Sequence, residues 1–454
     1  MNALRAGFAR VNITPRMGIF VRGYFKPRYA DGVLDDLELN VLALACGDSK
    51  VLLLSADNCA LDKDTCAIYR SHISKHTGIP SECIFISSTH IHTGPKLFFA
   101  CTDPMEKEYF HFLDGRMVDA AQFAIEDLKP ARMGYGIGYA PNISFIRRFR
   151  MKDGSVRTNP GVDNPDILYP IGDVDERVNV LRFDQEDGDS LVLVNFGVHP
   201  DVVGGSKISA DWPGFLRKTV EKTLDNTKCI FFNGAEGDVN HVNVHPRGGY
   251  LNDMFLDFDD VARGYKHAQY MGRVVTAGVL QAYDKVQYVE VNKLWALQRT
   301  IQIPSNMPDP KDIPEAKRIN DLHNAGNDSE LLYEGMMLTT VVAEAARMVQ
   351  LEKGPAFFDM DLLGIAIGPV AMIGIPGEPF NGVGLGLKEA QNWGLVLPCC
   401  LTNGNQGYFP MQDAYDEGGY EARRSIFKAG VGELIIQEGT LLLEELRGLT
   451  MTIL

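Results

Sequence analysis

The chain of 454 residues lacks a membrane-spanning apolar run, a disulfide pattern and an excess of basic residues. Its most apolar stretch, 362–375, is interrupted by three glycines and a proline. This interruption predicts a hairpin of strands rather than a membrane helix. The first residues, 1–7, carry no long apolar core, so we expect no signal peptide. Together these absences predict a protein without a membrane span.

The eight cysteines are scattered along the chain, and no two of them have the CxxC spacing of a zinc or redox motif. Disulfide frameworks are typical of short secreted chains in which cysteines are dense. We therefore expect all eight cysteines to be reduced thiols in a cytoplasmic protein.

Basic residues are outnumbered by acidic ones, 44 against 59, and the formal net charge is −15. Nucleic acids and anionic membrane surfaces attract basic proteins, so this balance argues against both as partners. The hydrophobic content of 45% and the charged content of 23% are ordinary for a globular protein. A chain of this size can fold around its own core without a metal, so we expect any bound metal to be catalytic rather than structural.

Apolar strands that alternate with helices dominate the pattern. Two β-α-β units are predicted, the first with strands at 51–56 and 83–87 around a helix at 61–75. The second has strands at 191–198 and 228–232 around a helix at 213–224. Further helices are predicted at 105–127, 259–283, 329–352 and 430–446, and further strands at 289–303, 357–375 and 395–402.

This alternation predicts an α/β fold with a large mixed β-sheet that is flanked by helices and buried on both faces. The segment 304–328 carries four prolines and many charges. We interpret it as an excursion from a single domain that spans residues 1–454.

Two histidines, His90 and His92, lie two residues apart in the run THIHTGP at 89–95, directly after a predicted strand. Residues two apart in a strand point to the same side, and ligands gather where the strands of an α/β sheet end. Neutral imidazole is a common metal ligand and a general base. The spacing alone also suits two hydrogen-bonded loop histidines.

A third histidine, His199, ends the apolar strand of the other β-α-β unit. Three histidines at strand ends can meet at one edge of a sheet, and a catalytic zinc site needs three or four such ligands and an open position. The alternative is a strand-terminal histidine that donates to a loop carbonyl.

Two later segments complete the candidate site. Glu378 lies in the tight turn IPGEPF at 375–380, where it can also simply begin a helix. Tyr408 begins a loop that contains Tyr415 and Tyr420, and tyrosines in such loops are usually packing groups.

In this order, the segments resemble the catalytic domain of the neutral/alkaline, non-lysosomal ceramidase family. The run at 89–95 is similar to the family's THTHSGP, and the run NGAEGDVN at 233–240 is similar to its NxGDVSPN. The resemblance covers most of the chain and also includes GFARVNITP at 7–15, SAD at 55–57, the strand end at His199, the turn around Glu378, and the tyrosine loop. It implies the N-terminal catalytic domain without the family's C-terminal β-sandwich.

The resemblance also implies a site built around one Zn²⁺ ion. The residues that match the family's zinc ligands are His90, His199, Glu378 and Tyr408. His92 matches a histidine beside the zinc-activated water, and Arg147 and Tyr420 match catalytic groups that hold substrate oxygens. The resemblance also suggests four substrate-binding residues, on looser matches: Arg148, Asn240, His241 and Tyr415.

The activity that the resemblance implies is cleavage of an amide (N-acyl) bond by a zinc-activated water. The chain departs from the family at Asn240, where relatives carry a serine, so a serine nucleophile at this place is excluded. The run FIRRFRMKDG at 145–154 resembles a shorter branch of the family, and we expect a small, soluble substrate rather than ceramide.

Two rival functions are compatible with the same residues. One is a zinc-dependent esterase, lactonase or carbohydrate-active enzyme, because amide and ester cleavage pass through similar oxyanions. The other is a non-catalytic binding protein of the same fold.

Polar groups near the site admit two interpretations. Metal-bound histidines usually donate their second N–H to an acceptor, and Asp57, Asp211 and Asp238 are the candidates, although each can equally cap a turn or a helix. His241 and its neighbours Asn243, His245 and Arg247 either shape the pocket or form a solvated loop.

Overall fold

A computed structural model describes residues 3–246, 254–259, 261–390 and 392–451. Its main sheet has nine strands, and only the outermost pair at each end is parallel. From one edge to the other the strands are Thr227–Asn233, Ser190–Phe196, Arg177–Gln185, Lys129–Tyr139, Leu4–Asn12, Glu38–Cys46, Ser49–Ala56 and Ile84–Ser88, with Gln287–Val289 paired to Lys129–Tyr139. Both parallel pairs belong to the predicted β-α-β units, and the predicted α/β class with a mixed sheet is confirmed.

A second sheet of four strands packs against one face of the main sheet. Its strands, in spatial order, are Leu294–Pro304, Phe357–Ile367, Val370–Gly374 and Leu395–Cys399. The last two are parallel. The predicted hairpin is confirmed, and it turns at Gly368, whose φ of +60° suits glycine.

The α-helices of the described residues form the outer layers of this two-sheet stack. They are Lys63–Thr77, Pro104–Glu126, Asp211–Thr223, Tyr265–Tyr283, Ile313–Asn324, Gly335–Leu351, Asn381–Lys388, Gln412–Glu417, Tyr420–Arg424 and Val431–Met451. The first four cover the main sheet, while Asn381–Lys388 and Val431–Met451 cover the second sheet. The result is a four-layer αββα arrangement, so the main sheet is covered by helices on one face and by a sheet on the other.

The strand Ser49–Ala56 illustrates why these strands are apolar without alternation. Leu52 and Leu54 pack against helices, whereas Val51 and Leu53 pack between the two sheets. Successive side chains in a strand point to opposite faces, so a strand buried on both faces is apolar at every position.

Short paired strands connect the layers. They are Phe20–Val21 with Arg28–Tyr29, Gly32–Val33 with Lys207–Ile208, Ala60–Leu61 with Lys96–Leu97, Phe145–Ile146 with Val239–Asn240, Val156–Thr158 and Ile167–Pro170 with Arg148–Met151, Phe255–Leu256 with Ala262–Arg263, and Glu378–Pro379 with Tyr408–Phe409.

Two predicted helices begin later than expected, and the predicted excursion contains a helix of its own. The helix predicted from 259 begins at Tyr265, because Ala262–Arg263 pairs as a strand, and position 260 lies outside the described residues. The helix predicted from 329 begins at Gly335. The segment 304–328 contains the helix Ile313–Asn324, which packs on Gly335–Leu351 through small and branched apolar side chains.

Two expectations from composition can be compared with the fold. Among the residues that the structure describes, no helix is both long and apolar enough to cross a bilayer. All eight cysteines are free thiols, and six of them are buried.

The interface between the two sheets supplies the first testable prediction. Phe232 is buried there, with its ring centroid 5.8 Å from that of Phe85. We expect Phe232→Ala to lower the free energy of unfolding by about 3–5 kcal/mol, because buried apolar contact is lost and a cavity remains. Chemical denaturation followed by circular dichroism measures this change.

Phe123→Ala is the matched control, because Phe123 is 51% exposed on the helix Pro104–Glu126. It should change the free energy of unfolding by less than about 0.5 kcal/mol. Equal effects of the two substitutions would contradict a core shared by both sheets.

Candidate metal centre

Parallel strand pairs place the candidate ligands. His90 follows the strand Ile84–Ser88, and His199 follows Ser190–Phe196, each in a parallel pair of the main sheet. These pairs lie at opposite ends of the strand order, but their outer strands face each other through Phe85 and Phe232. The rings of His90 and His199 consequently lie 5.1 Å apart.

Backbone carbonyls orient the two imidazoles. His90 Nδ1 lies 2.7 Å from the Cys59 carbonyl oxygen, and His199 Nδ1 lies 2.9 Å from the Glu236 carbonyl oxygen. A carbonyl only accepts hydrogen bonds, so each Nδ1 carries a proton and each Nε2 is left to face Glu378. The backbone of His90 is left-handed, with φ of +73°, a conformation that a non-glycine residue adopts at a cost and that is concentrated at functional sites.

Glu378 and Tyr408 come from the second sheet. They follow its parallel strands Val370–Gly374 and Leu395–Cys399. Glu378 is in register with Tyr408 in a short parallel pair, and its N–H donates to the Gly407 carbonyl at 2.8 Å. Both side chains are buried, so the pairing holds a carboxylate and a phenol side by side.

The buried carboxylate faces both imidazoles. Glu378 Oε2 lies 3.4 Å from His90 Nε2 and 3.4 Å from His199 Nε2. Burial acts to raise the pKa of Glu378, but His90 and His199 hold it well below its usual range. His199 Nε2 and Glu378 Oε2 have no hydrogen-bond partner among the described residues.

This arrangement fits a divalent cation. The two Nε2 atoms can face this ionised carboxylate only if protons or a cation lie between them: burial acts to lower the pKa of His90, but Glu378 holds it well above its usual value. One ring nitrogen from each of His90, His92 and His199 lies within 4.8 Å of the other two in the interior. Imidazole nitrogen and carboxylate oxygen are typical zinc ligands, so this buried group can hold a metal.

His92 is placed by a charged network that the sequence did not reveal. Its Nε2 lies 3.3 Å from His90 Nε2, and its Nδ1 lies 3.3 Å from Asp201 Oδ1. Arg263 donates to both Asp201 oxygens, at 3.0 and 2.7 Å, and Tyr24 donates to Oδ1. Burial lowers the pKa of His92 to about 4, although Asp201 acts in the opposite direction.

Close approach of the backbone also positions His92. Gly23 has φ of +113°, and a Cβ at this position would lie 2.7 Å from His92 Cγ. Only glycine therefore allows the segment to pass over the imidazole. The ring of Tyr24 contacts the same imidazole edge to face, with centroids 5.4 Å apart.

Tyr420 and Arg147 flank Tyr408. The Tyr420 ring lies 5.6 Å from that of Tyr408, and the Arg147 guanidinium lies 5.5 Å from the Tyr408 ring. Arg147 donates from Nε to Glu421 at 2.6 Å and from Nη2 to the Gly237 carbonyl at 2.6 Å. Arg147, not its neighbour Arg148, is therefore the arginine that borders the candidate centre.

Each of the other predicted substrate-binding residues bonds to a partner outside the group of three histidines. Arg148 donates to Glu417, Asn240 to Asn159, and Tyr415 to Ser425 and the Phe427 carbonyl. His241 Nε2 contacts the Ala262 carbonyl, and burial lowers its pKa to about 3. Their predicted contact with a substrate stays a prediction.

The loop after His241 borders another cavity and not the candidate centre. Asn243 and His245 line a separate cavity with Phe149 and Tyr169. Arg247, which the sequence places beside them, lies outside the described residues.

Of the two interpretations of the three aspartates, hydrogen bonds to the histidines are not found among the described residues. Asp57 pairs with Arg217, at 3.0 and 2.5 Å, and Asp211 accepts from backbone N–H groups, including that of Val203 at 2.8 Å. Asp238 accepts from the Asn381 N–H at 2.7 Å. Carbonyls take the place of these carboxylates because each histidine follows a strand whose parallel neighbour ends beside it.

A cavity of about 400 Å³ opens above the histidines. Its lining includes the predicted residues His90, His92, Glu378, Tyr408 and Tyr420. Sequence reasoning missed the basic residues of this lining, which are Arg22, Lys96 and Arg424. A single basic residue in a short strand, a short helix or a loop carries no distinguishing pattern, so nothing in the sequence marked them.

Comparison with known proteins bears on the fold. No family model and no curated protein sequence matches the chain. Among solved structures, the neutral ceramidase from Pseudomonas aeruginosa is similar, with a TM-score of 0.74 and 15% identity over 99% of this chain and 75% of that one. A ceramidase complexed with C2 has a TM-score of 0.72 and 16% identity, over 99% and 76% of the two chains.

At this level of identity the likeness establishes the fold. The chain adopts the architecture of the neutral ceramidases over almost its whole described length. The resemblance inferred from the short motifs is therefore confirmed as a shared fold.

Asp238 leads to a prediction about the pH dependence of stability. Burial raises its pKa to about 6, whereas an aspartate in an unfolded chain titrates near about 4. Between these values the folded state keeps a proton that the unfolded state has released. Stability should therefore fall as the pH rises from about 4 to about 6, on the order of 3 kcal/mol.

Asp238→Asn tests this assignment, because the amide oxygen can still accept from the Asn381 N–H but has no proton to release. Chemical denaturation of both proteins at pH 4 to 7 should show a smaller fall in stability for the variant. Parallel stability curves for the two proteins would mean that folding leaves the pKa of Asp238 unchanged.

Proposed function

We propose that the protein is a zinc-dependent hydrolase that cleaves an amide (N-acyl) bond of a small, soluble compound. The observation that carries the proposal is the meeting of two oriented imidazole nitrogens with a buried carboxylate at the floor of a cavity. The ceramidase fold supports the choice of amide cleavage.

The residues that would hold the zinc ion are His90, His199, Glu378 and Tyr408. The first three already direct ligand atoms to one place, and Tyr408 is in register with Glu378. Bound zinc supplies a Lewis acid that lowers the pKa of water from about 15.7 to near 7 and polarises a carbonyl.

The remaining groups would handle the proton and the substrate oxygens. His92 Nε2 points to the same space as His90 Nε2 and would exchange a proton with the attacking water or hydrogen-bond the developing oxyanion. Asp201 and Gly23 would keep this imidazole in place. Tyr420, at the cavity wall, would donate to a substrate oxygen, while Arg147 would act through Tyr408, against whose ring it lies.

The dimensions of the cavity favour a small substrate. A volume of about 400 Å³ is typical of a site for a compact organic molecule. Asn240, which stands where relatives carry a serine, bonds to Asn159 and does not line this cavity. The proposed reaction therefore uses no side-chain nucleophile.

We further propose that residues 1–454 act as one catalytic domain. Side chains from both sheets share a single buried core, and the proposed ligands come from both sheets. Separation of the sheets would separate His90 and His199 from Glu378 and Tyr408.

Zinc content tests the ligand assignment. We expect the purified protein to hold one zinc ion per chain. His90→Ala and His199→Ala should each weaken zinc binding by about 10–100-fold or more, because loss of a residue that only supports a metal ligand already weakens binding by about that factor. Mass spectrometry of the metal after dialysis measures this.

His245→Ala is the control, because this side chain is 62% exposed and should leave the zinc content unchanged. Full zinc content in both ligand variants would show that His90 and His199 do not hold the ion.

An activity panel tests the reaction. N-acyl compounds and the matching esters should be assayed with and without a chelator, and with Glu378→Gln. We expect amide hydrolysis that chelation abolishes and that zinc restores. Preference for esters or lactones would favour the rival hydrolase, and zinc binding with no turnover would favour a binding protein.

A further inference from the structure

We propose that the substrate carries a carboxylate, which Lys96 and Arg424 bind at the wall of the cavity. The inference rests on the proposed function and adds the chemical class of the compound. It would make the enzyme selective for an N-acyl compound such as an N-acyl amino acid over neutral amides.

The cavity is cationic although the chain is acidic. Its lining contains three basic residues, Arg22, Lys96 and Arg424, but Glu378 is the only carboxylate among the described lining residues. That carboxylate already faces two histidines. A chain with 59 acidic residues thus leaves this cavity with an excess of positive charge.

Two of the three cations have no acidic partner. Arg22 donates to Glu106 at 2.8 Å, whereas Lys96 and Arg424 form no ion pair within the described part of the chain. Two buried cations elsewhere show the contrast: Lys388 pairs with Asp175 at 2.6 Å, and Arg217 pairs with Asp57 at 2.5 Å. The two unpaired cations are therefore available to a ligand.

Lys96 and Arg424 line the same cavity as the candidate centre, and their charges interact. Burial lowers the pKa of Lys96, and the charges of Arg424 and Arg22 lower it further, while Glu378 opposes them. Like charges in a partly buried cleft repel, and a bound anion relieves this repulsion. Lys96 has one compensating contact, with its Nζ 5.0 Å from the centroid of the Phe98 ring.

The rest of the lining suits an acyl group. Phe25, Phe98 and Ile426 supply apolar surface in the same cavity, and Phe25 contacts Tyr420 edge to face at 6.5 Å. A guanidinium binds a carboxylate through two parallel hydrogen bonds, and an ammonium adds a point charge. An apolar wall beside two cations matches an N-acyl compound with an acidic group.

Matched probes test the proposal on the zinc-loaded, full-length protein. They are octanoylglycine, its uncharged amide octanoylglycinamide, and octanoyl phosphoethanolamine. Turnover is measured as kcat and KM, and calorimetry measures binding of any probe that is not hydrolysed. We expect KM or Kd for octanoylglycine to be at least about tenfold lower than for the uncharged amide, as one charge-assisted hydrogen bond allows.

Lys96→Met and Arg424→Gln should each weaken recognition of octanoylglycine by about tenfold or more and change that of the uncharged amide by less than about twofold. Lys96→Arg should retain most of the preference. The control is Lys75→Met, since Lys75 is exposed on the helix Lys63–Thr77 and should alter neither probe. Equal zinc content and melting temperature would show that the variants are folded.

The outcomes separate this inference from the proposed function. Equal recognition of the charged and uncharged probes, or equal loss of both in the variants, would overturn the carboxylate assignment while leaving hydrolysis intact. Preference for the phosphate probe would also overturn it. Selective binding of octanoylglycine without turnover of any probe would support the assignment and refute the hydrolase.

Discussion

Two hydrogen bonds from imidazole Nδ1 atoms to backbone carbonyls are the constraint on which the site depends. His90 follows one strand of a parallel pair, and Cys59, whose carbonyl it contacts, follows the other. His199 and Glu236 stand in the same relation in the second pair. Because neighbouring parallel strands end at one edge of a sheet, each pair delivers an imidazole together with the acceptor that orients it.

In the second sheet, too, the residues that would ligate the metal follow neighbouring parallel strands. Glu378 and Tyr408 follow its parallel strands and are held in register by a short pair of their own. Three pairs of parallel strands thus end near the candidate centre, and the packing of the two sheets holds these strand ends together. The placement of these residues depends on the order and direction of the strands more than on particular core residues.

Charged side chains around the candidate centre are paired in the interior but partly unpaired at the cavity wall. Buried charges near the site form closed networks, as Arg263 does with Asp201 and Arg147 does with Glu421. Such networks stabilise one arrangement of a buried side chain, because removal of one partner leaves the other charge uncompensated. The cavity wall departs from this pattern at Lys96 and Arg424, and an unpaired charge is a feature of a surface that meets a ligand rather than of a core.

Sequence patterns are enough to predict the α/β class, both β-α-β units of the main sheet and the histidines at their strand ends, because apolar strands buried on both faces leave a continuous signal. The folded arrangement is needed to see that a second sheet covers the first and that the carbonyls of Cys59 and Glu236 accept from the histidines. It is also needed to see that Asp201, Gly23, Lys96 and Arg424 surround the site. These contacts join residues far apart in the chain through backbone atoms and single side chains, and neither leaves a periodic pattern in the sequence.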